Sequence, residues 1–182
     1  MTKTIIYLMR HGDVHNPKKI LYGRLPYFHL SKIGIEKIKE KAEILQKKRI
    51  QYIYTSPMLR ARQTAKIIAK KLGLKVKISN LLNEVKFSFE GMLLDDFVKT
   101  VQPKLYSLEY AKGGSETITQ IERRMLDFIK LMKIRHKGKK ILAISHGDPI
   151  VILKAAIEKK IFNWEYKKNN YLHTGDWYKF EV

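Results

Sequence analysis

Four groups of residues in this chain have the types and spacing to do chemistry. Arg10-His11-Gly12 follows the apolar run Ile5 to Met9, and Ser145-His146-Gly147 follows the apolar run Ile141 to Ile144. Each run reads as a short buried strand. Ligands of open α/β sheets bind outside the carboxyl ends of the strands, so both His-Gly pairs belong at one edge. Adjacent strands lie about 4.8 Å apart. If these two are neighbours, His11 and His146 face each other beside Arg10, and Gly12 lets a ligand come close to the main chain. The third group, Arg60 and Arg62, stands at the start of a helix, where cations oppose the helix dipole. That cost points to an anionic ligand, which the free N–H groups of the helix end also attract. A solvated arginine is the plainer alternative, and it suits Arg62 better than Arg60. The fourth group is Glu84, set among Leu81, Leu82, Val85 and Phe87. A carboxyl in an apolar-lined cleft can have its pKa raised and serve as a general acid. Taken singly, His15, His29, His136 and His173 read as structural or surface residues.

The elements that must carry these groups follow from periodicity and punctuation. A polar loop, Asp13 to Leu30, leads to Ser31, which reads as the cap of a helix with Ile35, Ile38, Ala42 and Leu45 on one face. A strand over 51–55 ends at Ser56-Pro57, and Pro57 suits the first turn of the helix that runs to Leu72 and stops at Gly73. Lys75 to Ile78 is a third strand, and 81–91 is irregular. Asp95 to Leu108 reads as a helix broken near Pro103. Ser115 reads as the cap of a long helix reaching Arg135, with Ile118, Ile121, Met125, Phe128, Ile129 and Met132 as its apolar stripe. After the strand 139–145 come a helix over 149–158, a loop at Lys167-Lys168-Asn169-Asn170, and a last strand over 177–182. This alternation predicts one α/β domain over residues 1–182. It is a three-layer α/β/α sandwich with a mostly parallel central sheet.

Composition narrows the partners. The 182 residues suffice for one sizeable core, and 45% hydrophobic content is ordinary for a globular protein. No cysteine is present, which excludes disulfides and cysteine-based zinc sites. The run Ile5 to Met9 is too short for a secretory signal, and no stretch reaches the ~18 apolar residues of a membrane span. A cytoplasmic location without membrane association is the expectation. The net charge of +20 suggests nucleic acid. The lysines, however, are spread along the chain and arginines, which read bases and phosphates bidentately, are few. The charge is read as a solvated surface that attracts anionic substrates rather than as a nucleic-acid interface.

These motifs, in this order, resemble those of the histidine phosphatase superfamily, the phosphoglycerate mutase-like proteins. Leu8-Met9-Arg10-His11-Gly12 is similar to the family signature. Thr55-Ser56-Pro57-Met58-Leu59-Arg60-Ala61-Arg62-Gln63-Thr64-Ala65 resembles its second block. Leu82-Asn83-Glu84 with Phe89-Glu90-Gly91, then Gly114-Ser115-Glu116, then Ser145-His146-Gly147 resemble three more, and Tyr22-Gly23-Arg24 through Gly34 resembles the loop after the first strand. The resemblance implies a phosphoglycerate mutase-like fold. It also implies that His11 accepts the phosphoryl group, that Arg10, Arg60 and His146 bind its oxygens, and that Glu84 protonates the leaving group and then helps activate water. Asn16, Tyr22, Gly23 and Gly147 are implied as further substrate contacts. The chain departs from the family pattern at Asp13, Val14, Tyr22 and Phe87-Ser88-Phe89, positions that lie near the substrate mouth in the family.

The expectation is a metal-independent phosphatase that hydrolyses phosphomonoesters through a phosphohistidine, with no cofactor and no metal. Its substrate is a phosphorylated small molecule or a phosphoprotein. The stretch from Glu90 to Gly114 is short beside the insertion of the family's mutases, which favours hydrolysis. Phosphoglycerate mutase-type transfer and a non-catalytic phosphate-binding regulatory module are the alternatives. Oligomeric state is not legible.

Overall fold

Strand β1 (Ile5–Arg10) shows why its residues are apolar without a break: both of its faces are covered. Ile6 and Leu8 point into one half of the core, Tyr7 and Met9 into the other. The computed structural model describes residues 3–106 and 113–182. In chain order its main elements are β1, α1 (Lys32–Gln46), β2 (Tyr52–Thr55), α2 (Leu59–Leu72), β3 (Val76–Ile78), α3 (Ile118–Arg135), β4 (Lys140–Ser145), α4 (Gly147–Ile157), α5 (Trp164–Asn170) and β5 (Trp177–Glu181). An irregular helical stretch spans 94–104.

The sheet order is β3-β2-β4-β1-β5, with β5 antiparallel and every other pairing parallel. This is the expected three-layer α/β architecture. Helices α1 and α2 place Ile38, Leu45, Ala65 and Ile68 on one face of the sheet. Helices α3 and α4 place Met125, Phe128, Ile150 and Leu153 on the other. Fully burying side chains of this size stabilises the fold by about 1.5–3 kcal/mol each. The register that matters most is β1 against β4. Arg10 pairs with Ser145, so His11 and His146, one residue further on, leave the sheet side by side.

Helix starts follow the sequence reading in one case and differ in another. Ser31 caps α1 by accepting from the Gly34 N–H. Gly73 closes α2 in the left-handed conformation, φ 66°. The long helix, however, is capped by Thr117 and not by Ser115. Thr117 and Gln120 exchange side-chain and backbone bonds as a capping box, while Ser115 Oγ accepts from the Ser88 N–H. Lys167 to Asn170 is helical rather than a loop, because Asn163 caps α5 by accepting from the Tyr166 N–H. The helix expected over 95–108 with a break near Pro103 is an irregular helical stretch over 94–104 followed by a turn at 105–106; residues 107 and 108 lie outside the described residues.

Candidate active site

The strand ends bring the two histidines together as the motif spacing requires. Their ring centroids lie 5.1 Å apart, edge to face, and both side chains are buried. His11 Nδ1 lies 2.8 Å from the Gly12 carbonyl. That bond needs an N–H at Nδ1, which leaves Nε2 as the nitrogen with the free electron pair. Burial, together with Arg60, His146 and Arg10 nearby, holds the His11 pKa well below its ordinary 6.5. The imidazole is therefore neutral, the state in which it is a nucleophile.

Arg60 is buried in the first turn of α2, at 1% exposure. Its guanidinium joins His11, Gly23, Glu84 and His146. Nε donates to His11 Nε2 at 3.2 Å, and Nη2 donates to the Gly23 carbonyl at 2.8 Å. The same Nη2 lies 3.5 Å from Glu84 Oε2 and 3.1 Å from His146 Nδ1. The ring of Tyr22 lies against its flat face at 4.7 Å. Taking a cation out of water costs several kcal/mol; the carboxylate, the carbonyl and the tyrosine face offset that cost. Arg10 is held differently. Nη1 donates to the Leu172 carbonyl at 2.7 Å, and the Tyr171 ring lies 4.9 Å from the guanidinium carbon. Its buried Nε has no hydrogen-bond partner among the described residues, so one N–H donor is left over for a ligand.

Glu84 corrects one expectation. Burial pushes its carboxyl up, as the apolar neighbours suggest, but His146 and Arg60 outweigh burial and hold it below the usual carboxylate range. The carboxylate Oε2 lies 3.2 Å from His146 Nδ1, and Oε1 accepts from the Val85 N–H at 2.9 Å. His146 is lowered to about 4, burial being the main cause and Glu84 opposing it. Its other nitrogen, Nε2, lies 2.8 Å from Ser56 Oγ. A hydroxyl that donates to Nε2 leaves the Nδ1 proton for Glu84.

Several residues that position these groups were not singled out from the sequence. Ser56 orients His146. Thr64 Oγ accepts from the Gly12 N–H and donates to the Arg60 carbonyl. Glu116 accepts from both Arg24 and Arg124. Those arginines in turn donate to the carbonyls of Leu81, Asn83 and Glu84, which fixes the acid-bearing loop. Ser56, Arg24 and Glu116 stand inside the quoted motifs, and that was their only signal; Arg124 had none.

A cavity of about 660 Å³ opens from this cluster, lined at its inner end by Arg10, His11, Tyr22, Gly23, Glu84 and Gly147. Arg60 and His146 are buried against His11 and Glu84. Asn16 does not line it. Its side chain donates to the Ile20 carbonyl and accepts from the Ile20 N–H, closing its own loop. Arg62 is exposed, as its solvated reading implies. Of the positions that depart from the family pattern, Tyr22 and Phe87 line the cavity, whereas Asp13 is turned to Thr174 and Lys37. His11, Glu84 and His146 offer three potential metal ligands within 4.8 Å of one another. The Arg60 guanidinium, however, already lies on those same atoms, and a metal ion there would have to displace it against its own charge. The guanidinium, rather than the donor set, is what opposes a metal here.

The chain matches the profile described as Histidine phosphatase superfamily (branch 1) over residues 6–181. It is 31% identical over 162 residues to the "Uncharacterized protein Rv0525" of Mycobacterium tuberculosis (strain ATCC 25618 / H37Rv), covering 87% of this chain and 80% of that protein. It is 27% identical to the "Putative phosphoserine phosphatase 2" of Hydrogenobacter thermophilus (strain DSM 6534 / IAM 12695 / TK-6), covering 80% and 74%. The solved structure of mycobacterial glucosyl-3-phosphoglycerate phosphatase Rv2419c superposes with a TM-score of 0.79 at 20% identity, over 96% of this chain and 88% of that one. With its paired strand-end histidines on a phosphoglycerate mutase-like sheet, the chain belongs to the histidine phosphatase superfamily, branch 1.

Proposed function

We propose that this protein hydrolyses phosphomonoesters through a phosphohistidine on His11, without a metal. The observation that carries the reading is the neutral, buried imidazole of His11, whose unprotonated Nε2 accepts from Arg60 and whose ring lines one cavity with Arg10 and Glu84, backed by the buried Arg60 and His146. Phosphoryl transfer asks a protein mainly for positioning and for donors aimed at the phosphoryl oxygens. The spare N–H of Arg10 and the guanidinium of Arg60 supply those donors, and the Nδ1–H of His146 joins them once Glu84 is protonated and no longer accepts from it. Nε2 bonds to phosphorus as the ester oxygen leaves. Glu84 delivers a proton to that oxygen, which departs as an alcohol. A dianionic phosphoryl group beside Glu84 offsets Arg60 and His146, so the carboxylate takes up a proton from solvent as the ester binds, and this is the proton it delivers. In the second step Glu84 takes a proton from water as its oxygen bonds to phosphorus, and the bond to His11 breaks. Relatives named as phosphoserine phosphatase and glucosyl-3-phosphoglycerate phosphatase support hydrolysis as the reaction type.

The test is phosphate release from an activated aryl phosphate in EDTA, for wild type, His11→Ala and Glu84→Gln. We expect turnover in wild type and a loss of about 10⁴-fold or more in His11→Ala. Glu84→Gln should lose about 10²–10⁴-fold on an alkyl phosphate and less on the aryl ester, whose leaving group needs little help from an acid. Turnover that survives His11→Ala would overturn the phosphohistidine route.

A further inference from the structure

The cavity extends well beyond the phosphoryl end, and its character changes on the way. At about 660 Å³ it has room for a whole small-molecule ester. Past Tyr22 and Glu84 its wall is made of Ile20, Phe87, Leu94, Phe97, Val98 and Trp164. Leu94, Phe97 and Val98 are three and four residues apart on the helical stretch 94–104, so they share one face. Val98 is 52% exposed and Trp164 is 49% exposed, so apolar surface waits at the mouth for a partner to cover it.

Charge in this outer part is largely cancelled. Lys167 Nζ lies 2.8 and 2.9 Å from the two carboxylate oxygens of Asp148. Outside the phosphoryl end, Lys168 is the only other lining cation among the described residues. A substrate with a second phosphate or a carboxylate calls for bidentate, charge-assisted donors at its far end. A polyhydroxylated substrate calls for a row of donors and acceptors. Gln102 and Lys168 are the polar side chains that this wall adds to the Asp148–Lys167 pair.

We propose that the leaving group is an apolar alkyl or aryl body seated against Leu94, Val98 and Trp164. On the phosphatase reading given above, the substrate class is then the small-molecule phosphomonoester of a hydrophobic alcohol or phenol. The hydrolysis is the one already written, with the hydrophobic alcohol as leaving group.

A series of ethyl, butyl, hexyl and octyl monophosphates tests this, because leaving-group chemistry stays constant while apolar surface grows. We expect kcat/KM to rise about two- to fourfold per methylene until the chain outgrows the cavity, chiefly through KM. Val98→Ser and Leu94→Ala should flatten that slope while leaving ethyl phosphate turnover within about twofold. A flat series overturns the proposal, as does phosphoserine or 3-phosphoglycerate turned over about tenfold better than hexyl phosphate. Alkylphosphonates, whose P–C bond is not cleaved, separate the two readings by calorimetry. Tighter binding of hexyl- than methylphosphonate without turnover of any ester supports the apolar seat and overturns the phosphatase reading. Turnover of all esters with no chain-length dependence does the reverse.

Discussion

At the inner end of the cavity, His11 and His146 stand on the tips of two adjacent buried strands, braced by a fully buried arginine. At the outer end, Leu94, Val98 and Trp164 stand on short helical pieces outside the strands of the sheet. The inner end is dense with mutually bonded polar groups; the outer end holds apolar surface, one neutralised ion pair, Lys168 and Gln102. Chemistry that needs groups fixed to fractions of an ångström sits on the sheet. Shape recognition, which tolerates more play, sits on the helical rim. The difference implies that substitutions at the inner end change rate, and that substitutions at the outer end change which ester is chosen.

The sharpest way to break that division is Arg60→Lys. Arg60 bonds His11 and Gly23 through two different nitrogens, approaches His146 and Glu84, and stacks on Tyr22. Lysine keeps the charge but has one nitrogen and no flat face. We expect kcat/KM to fall by about 10²–10³, the cost of losing one aimed donor in a dry site, equally for short and long alkyl phosphates. A loss below about fivefold, or one that depends on chain length, would erase the distinction between the two ends.

Stability against pH isolates the inner end without any substrate. The folded pKa values of His11 and His146 lie below the ordinary 6.5, with His146 at about 4. As pH falls through 6.5 the unfolded chain takes up protons that the folded chain refuses. Stability is therefore complete above about pH 7 and falls as pH drops from 6.5 toward 4. His136, also lowered by burial and by Lys77 and Arg135, adds to the same trend. Glu84 adds a loss of the same sign at lower pH, because its folded pKa lies below the ordinary 4.5. The unfolding free energy from denaturant titrations at several pH values should fall across the window with a slope of up to about three protons. His11→Ala should reduce that slope by about one. An unchanged slope would mean that His11 is not held neutral by its surroundings.

How much of this could be read in the sequence follows the same division. His11, His146, Arg60 and Glu84 of the inner end were legible because each sits where a local rule acts: a histidine at a strand end, an arginine opposing a helix dipole, a carboxyl in an apolar stretch; Tyr22, Gly23 and Gly147 came only with the family resemblance. That His11 faces His146 was conditional on their strands being neighbours, and β1 pairs with β4. Pairings across long stretches of chain escaped. Ser56 with His146, Arg124 with Glu116 and the acid loop, and Asp148 with Lys167 each join single polar residues that carry no periodicity. The Lys167 to Asn170 part of helix α5 was read as a loop for a related reason: Trp164 to Asn170 has no apolar stripe. Its helix is held by the Asn163 cap and by Lys167, which pairs with Asp148 and lies over the rings of Trp164 and Tyr171. The direction of the Glu84 shift escaped as well, because burial was visible in the sequence while the proximity of Arg60 and His146 was not.

Asp148 joins the two ends, and its removal is the mildest of these tests. It follows the His146-Gly147 pair in the first turn of α4, is nearly buried, and receives Lys167 and the Tyr106 hydroxyl. Asp148→Asn keeps the shape and an acceptor for Tyr106 but leaves Lys167 without its counter-charge. Breaking one side of a buried pair costs up to 3–5 kcal/mol; this pair lies at the cavity wall, where water screens part of that, and about 1–2 kcal/mol is expected. A denaturant titration reads it. The more telling readout is kinetic. If Asp148 keeps the outer end electrically quiet, the variant should bind esters carrying a second anionic group about two- to fivefold more tightly, at unchanged kcat, with the gain lost in high salt. Hexyl phosphate should gain no more than the charge of its own phosphoryl group brings. A drop in kcat of about tenfold or more would instead place Asp148 with the rate-determining groups of the inner end.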